Sequence, residues 1–377
     1  MKRNGTREVR IKTVHGSFQF SVQRFGAGEQ ATTWLEQGGQ VLPGNVSRRL
    51  GEFSAYYANR LSYEEVEGLI ERVTGEKLLT DQTIQHQVVA QAAAVSQHWV
   101  EEAKGVEVMA TASEVDWYDP QAAEVLVLSD AIQVKQQKPT RQRSGQVASV
   151  EEKRETVRVN TDVWMVERAG GGFQYLTAGI SEAGAEVVSV EDRVKQSLRV
   201  EYGSRVVPLP VVAITDGAKA IRCQLETIFE HPVPVILDWY HLEKKVWELM
   251  SMVARTKAEK EIHVAELLKL LWHGRADQAL TYLRTQVETK SEKWLSALIT
   301  YVEKHQAEII DYERRQDAGK PIGSGRMEKG VDQVIGARQK SKGMSWSPTG
   351  SKALGILKVI ELNGQWERLW FPEKAAA

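Results

Sequence analysis

A single cysteine, Cys223, stands in the 377 residues, so no internal disulfide can form and every Cys-based zinc framework is excluded. Long apolar runs are missing as well. The longest near-apolar stretch, Val206 to Ile214, falls far short of the roughly 18 residues that a membrane-spanning helix needs. The opening MKRNGTREVRIKTVHG is charged throughout and carries no apolar leader segment. These absences predict a cytoplasmic protein with no membrane partner. Charge of one sign is also lacking: 49 Lys+Arg face 50 Asp+Glu, a formal net charge of −1. Any nucleic acid must therefore be met by local basic patches, because the overall field supplies no attraction. What is present is ordinary for a packed chain: 42% apolar and 26% charged residues exclude disordered and collagen-like classes. At about 150 residues per domain the length predicts two to three domains.

Along the chain, VRIKTVHGSFQFSVQRF alternates like a β-hairpin with a Gly turn, and residues 1–60 form an N-terminal region with no assigned chemistry. In residues 61–120, Ser62 with Glu65 makes a capping box, and Val66, Leu69, Ile70 and Val73 follow at helical spacing until Gly75. Thr80 caps a second helix carrying Ile84, Val88 and Val89. Two short helices joined by a Gly-containing turn are the helix-turn-helix pattern, with Gln82, Gln85, His86 and Gln87 on the exposed face. Gln side chains can read base edges, while plain helical packing gives the same pattern. Both readings stand.

From residue 121 the rhythm changes to α/β. EVLVLSD reads as a strand ending in an acid, and TDVWMVER and FQYLTAGI as two further strands around a Gly turn. A helix capped by Ser189 with Asp192 follows, then the buried strands VVAITD and VPVILD, each ending in an acid and followed by a helix. The order β-β-β-α-β-α-β-α, spanning 121–242, is interrupted by an all-helical insertion at 243–320. Residues 321–377 close the core with helices on either side of a Gly/Ser/Pro loop. Trp247, Trp272 and Trp294 fall on apolar stripes of the insertion and are expected in its core.

Three acids stand out by position: Asp130 and Asp216 at strand ends, and Glu328 in the first turn of a helix begun by Gly-Ser-Gly at 323–325. Singly, each is explained by capping and the helix dipole. Together they lie where ligands bind in an open α/β sheet, and clustered carboxylate oxygens are what hard divalent cations require.

ITDGAKAI around Asp216, ILDWYHLEKKVW at 236–247 and GSGRMEKGVDQVIGARQKSKGMSW at 323–346 together resemble the insertion-sequence transposases of the Kra branch. SDAIQVKQQKP around Asp130 and the closing ILKVIELNGQWERLW add to the resemblance, which covers the chain from about residue 60 to its end. It implies an RNase H-like core with a DDE triad of Asp130, Asp216 and Glu328 holding two Mg²⁺ ions, with Mn²⁺ as an alternative. The implied activity is cleavage of double-stranded DNA at element ends and strand transfer into a target, by a homo-oligomer. Ala131 stands where the family commonly has Gly. Alternatives are an inactive or domesticated relative that binds DNA, and a nuclease on the same core. His241, three residues after Asp238, resembles an element of related families and is expected to orient the scissile phosphate, with Asp238 holding its ring or the backbone. The bland alternative is a strand-end acid and a helix-start histidine. Arg326, Lys329, Arg338, Lys340 and Lys342 make the C-terminal segment basic, either a DNA groove or a solvated face. Lys135, Lys138, Arg141 and Arg143 form a second basic stretch beyond the first acid. His263, His273 and His305 show no ligand spacing and are expected to be structural or solvated.

Overall fold

The computed structural model describes residues 3–26, 32–37, 41–105, 115–138, 157–203, 209–229 and 232–372. Arg141 and Arg143 lie outside them. The expected hairpin is present: β1 (Arg3–Thr13) pairs antiparallel with β2 (Gly16–Phe25). Gly16 takes a φ of 106°, open to glycine alone at little cost. β3 (Thr32–Thr33), the short α1 (Trp34–Gln37), β4 (Val41–Leu42) and β5 (Val46–Ser47) follow, giving a five-stranded sheet of order β3-β2-β1-β5-β4. Its own core is small, built from Val9, Ile11, Val22 and Leu35. α2 (Arg48–Ala58), capped by Ser47, belongs instead to the main core through Leu50, Ala55 and Ala58.

α3 (Tyr63–Thr74) has the capping box expected from Ser62 and Glu65, and ends on Gly75 at φ 73°. α4 (Asp81–Ala103) starts at the Thr80 cap but runs for 23 residues, where a short helix was expected. Ile84, Val88, Ala92, Val95 and Trp99 keep one face apolar along nearly the whole helix, and all five are buried. Gln82 and His86 are exposed, whereas the Gln87 amide is buried without a hydrogen-bond partner among the described residues, contrary to its expected exposure.

The central sheet comprises β6 (Val125–Lys135), β7 (Arg158–Glu167), β8 (Phe173–Leu176), β11 (Val211–Thr215) and β12 (Val235–Leu237), in the order β12-β11-β6-β7-β8. β9 (Gly179–Ile180) and β10 (Glu186–Val188) form a separate two-stranded sheet before α5 (Val190–Tyr202), and α6 (Lys219–Ile228) connects β11 to β12. β6, β7 and β8 are antiparallel neighbours, while β6, β11 and β12 are parallel. One expectation is corrected here: β6 does not end at its acid. Asp130 lies mid-strand opposite Val163, because Ile132 and Val134 continue the alternation and remain buried. The same alternation assigns the faces. Leu126, Leu128, Ile132 and Val134 share a core with the later helices, whereas Val125 and Val127 pack with α5 and α6, so Asp130 belongs to the first face.

Helices follow one another where 243–320 was expected to be all-helical: α7 (Trp239–Val253), which starts four residues earlier, α8 (Lys257–Trp272), α9 (Ala276–Thr285), α10 (Glu292–Lys304) and α11 (Tyr312–Asp317). Trp272 packs edge-on against Trp239 at 4.7 Å between centroids and stacks on Tyr312. Trp247 departs from expectation: it is 38% exposed, with the Lys260 ammonium over its ring. α12 (Gly325–Val331) passes through a π-helical turn at Asp332–Gly336 into α13 (Ala337–Gln339). α14 (Pro348–Leu362) is buried along most of its length, and α15 (Trp366–Trp370) returns to α2, where the Trp366 indole N–H donates to Glu52. Among the described residues no helix is long and apolar enough to cross a membrane.

Candidate active site

Asp130 reaches the first face from the middle of β6, Asp216 follows the last residue of the neighbouring β11, and Glu328 occupies the first turn of α12, which packs on β6 and β7. The first two are half-buried and Glu328 is exposed. Gly330 permits the close approach of α12, since a Cβ there would lie 2.8 Å from Met165 Sδ. The three acids share a field. Burial raises the Asp130 carboxyl above the usual carboxylate range, the negative charges of Asp216 and Glu328 add to the rise, and the Ala131 N–H and His241 oppose it. Asp216 in turn accepts the Ala218 N–H at 2.8 Å, which fixes the turn after β11. No group of three or more His, Cys, Asp and Glu among the described residues is placed to hold a metal ion.

The upward shift of Asp130 makes stability depend on pH. A carboxyl that binds its proton more tightly when folded loses stability for the fold as pH rises through its folded pKa. Asp130→Asn is therefore expected to melt higher than wild type at neutral pH, with the gap closing as pH falls through the carboxylate range. Thermal melts across that range check it.

Asp238 resolves one pair of alternatives in favour of the backbone. It is 2% exposed and caps α7, one oxygen accepting the His241 N–H at 2.9 Å. Its other oxygen accepts both the N–H and the hydroxyl of Ser324, the N-cap of α12. The Trp239 N–H donates to Ile322 at 3.1 Å in the same place, and Tyr240 packs so closely on Gly323 that a Cβ would sit 2.6 Å from its ring. Asp238 thus ties the start of α7 to the turn that delivers Glu328. The half-buried His241 reaches Asp130 electrostatically.

The basic residues divide. Arg326, Lys329, Lys340 and Lys342 are exposed, Arg326 with its guanidinium over the Phe173 ring. Arg338 does not join them. It is 7% exposed, donates to the Ala58 carbonyl at 2.8 Å and lies over the Trp346 ring at 4.7 Å, so the fold already uses its fork. This corrects its expected place on a DNA-facing surface: Trp346 and the end of α2 are brought to it only by tertiary packing. Lys340→Ala with Lys342→Ala is expected to flatten the log-affinity against log-salt slope by about 0.9 for each duplex phosphate that the missing ammonium had neutralised. Arg338→Ala should instead lower stability by about 1–3 kcal/mol, the scale of a broken charged hydrogen bond. Binding isotherms at several salt concentrations and melts of the same samples separate the two. Gln82 is exposed on the first turn of α4, while Gln85 is half-buried beside Gly350.

Two side chains of the insertion carry no sequence signal that would place them in this region. His305, at the end of α10, lies against the Asp216 turn, and the charge of Asp216 reaches Tyr301 on the same helix. No spacing rule links them to a strand end so distant in sequence.

No protein-family model and no curated protein matches the chain. Among solved structures it is similar to the Drosophila P element transposase strand transfer complex, at 9% identity and a TM-score of 0.25, over 89% of this chain and 83% of that one. A TM-score this low does not establish a common fold.

Proposed function

We propose that the chain is a DDE transposase of the Kra branch, with an RNase H-like catalytic core, acting on double-stranded DNA. The observation that carries the reading is the shared field of Asp130, Asp216 and Glu328 on one face of a sheet ordered β12-β11-β6-β7-β8. Three strands in antiparallel succession, followed by two parallel ones connected through a helix, support this reading.

Carboxylate oxygens are the donors that Mg²⁺ and Mn²⁺ take, so Asp130, Asp216 and Glu328 fit a divalent cation by donor type and by mutual repulsion, though not by completed coordination. Bound there, one or two cations would supply an activated water or 3′-hydroxyl and charge for the leaving oxygen. The chain's own groups do the rest. Lys329 and Arg326, exposed on the same helix as Glu328, offer positive charge to the phosphates that flank the scissile bond. The charge of His241 acts on Asp130, within a range at which an imidazole can serve to orient a phosphate oxygen. Gln82 and the start of α4 offer a surface for reading element ends.

The test uses purified full-length chain with duplex DNA carrying the sequences that flank its gene. Mg²⁺-dependent nicking that leaves a 3′-hydroxyl, followed by joined products with a target plasmid, supports the reading. Cleavage without joined products replaces it with a nuclease, and binding without cleavage with an inert relative. Cation binding has its own readout. Mn²⁺ is expected to raise the melting temperature, since a ligand at 100 times its Kd stabilises by about 2.7 kcal/mol, and Asp216→Asn should remove most of that gain.

A further inference from the structure

Gly217, directly after Asp216, has a φ of 83°, and a Cβ there would lie 2.3 Å from Cε1 of His305 and 2.9 Å from its Nε2. The imidazole therefore occupies the space that any other residue would need. His305 is 1% exposed and stands at the end of α10, in the helical insertion. Its Nδ1 lies 2.7 Å from Arg222 Nη2 and 2.7 Å from Glu308 Oε2, and Arg222 Nη2 also donates to Glu308 at 2.8 Å. A guanidinium can only donate and a carboxylate only accept. The unprotonated Nδ1 thus takes the Arg222 N–H, the protonated one gives its hydrogen to Glu308, and the ring keeps its orientation in either tautomer. Arg222 belongs to α6, the helix that the Asp216 turn begins. On α10 the Tyr301 ring packs 4.8 Å from that of His305. Burial, with the carboxylates of Asp216, Glu308 and Asp238, pushes the Tyr301 phenol up to about 12, so it remains neutral beside the acids.

We propose that His305 is a positioning residue: its ring, oriented by Arg222 and Glu308, is the wall that fixes the Gly217 turn and with it the Asp216 carboxylate. The helical insertion thereby sets the geometry of the second acid. This rests on reading Asp216 as a catalytic acid. The Gly217 N–H to Thr215 Oγ1 and Ala218 N–H to Asp216 bonds shape the turn from within, glycine at 217 leaves it freedom in φ, and the buried ring closes the space beside it.

The experiment compares full-length wild type with His305→Gln, His305→Phe and Glu308→Gln in single-turnover DNA cleavage, with Mn²⁺ titrated, alongside DNA affinity and amide hydrogen exchange at Gly217 and Ala218. A displaced carboxylate is expected to cost His305→Gln about 10- to 100-fold in rate per folded molecule, with DNA affinity unchanged. Half-maximal activity should require more Mn²⁺, and His305→Phe, which keeps a ring against Gly217, should recover part of the loss. Wild-type rate and Mn²⁺ requirement in a destabilised His305→Gln would overturn the proposal. If the His305 variants do not fold, Glu308→Gln decides: faster exchange at Gly217 and Ala218 than in the remaining core supports the proposal, and unchanged protection refutes it. Exchange also separates the two readings. A wild type that cleaves no DNA defeats the proposed function, while the response of the turn still tests whether His305 holds it.

Discussion

Asp216→Asn or Glu328→Gln is expected to lower DNA cleavage by about three orders of magnitude or more, the scale on which an indispensable catalytic group is lost, while DNA binding and stability stay close to wild type. The structure explains why the fold should tolerate both changes. Glu328 is exposed, and substitutions at such positions usually shift stability by no more than about 0.5 kcal/mol. Asp216 accepts the Ala218 N–H through one oxygen, a bond that the Asn amide oxygen can keep. Removing either charge also relieves the repulsion that adds to burial in raising the Asp130 carboxyl. Single-turnover cleavage, DNA affinity and a melt on one preparation check all three parts. Near-wild-type cleavage by either variant would show that its acid takes no part in the chemistry.

Asp238→Ala should produce the largest loss of stability among the site variants, about 3 kcal/mol or more, because a buried carboxylate leaves three donors behind it: the N–H of His241 and the N–H and hydroxyl of Ser324. Asp238→Asn should fall between Ala and wild type. Its oxygen can still accept from one side, but its NH₂ then meets another donor. Activity should fall along with stability, since Ser324 stands immediately before the helix that carries Glu328. His241→Ala supplies the contrast: its half-buried ring leaves the cap intact, so cleavage should fall by about 10²-fold or more with little change in melting temperature. Denaturant melts together with single-turnover rates distinguish the two residues. A His241 variant that is destabilised yet cleaves at the wild-type rate would return His241 to a structural role.

Much of this molecule was legible from the chain alone, because it depends on interactions only a few residues long. Side-chain caps are local, so Ser62, Thr80 and Ser189 mark the starts of three helices in the sequence and in the structure. Apolar patterning is local too, and it located β7, β11 and β12. The same rule, carried four residues further through Ile132 and Val134, would have placed Asp130 within its strand. The length of α4 was harder to see, since its later buried residues face elements that come much later in the chain. Packing alone decided the rest. Arg338 looked like any exposed cation until Ala58 and Trp346 closed around it. His305 had no recognisable spacing because its partners, Gly217 and Arg222, lie on the other side of the insertion in sequence and meet it only in the folded core. Local chemistry thus determined the elements and singled out three acids. Only the tertiary structure decided which side chains surround them, because burial and contact are set by residues far apart in the chain that folding brings together.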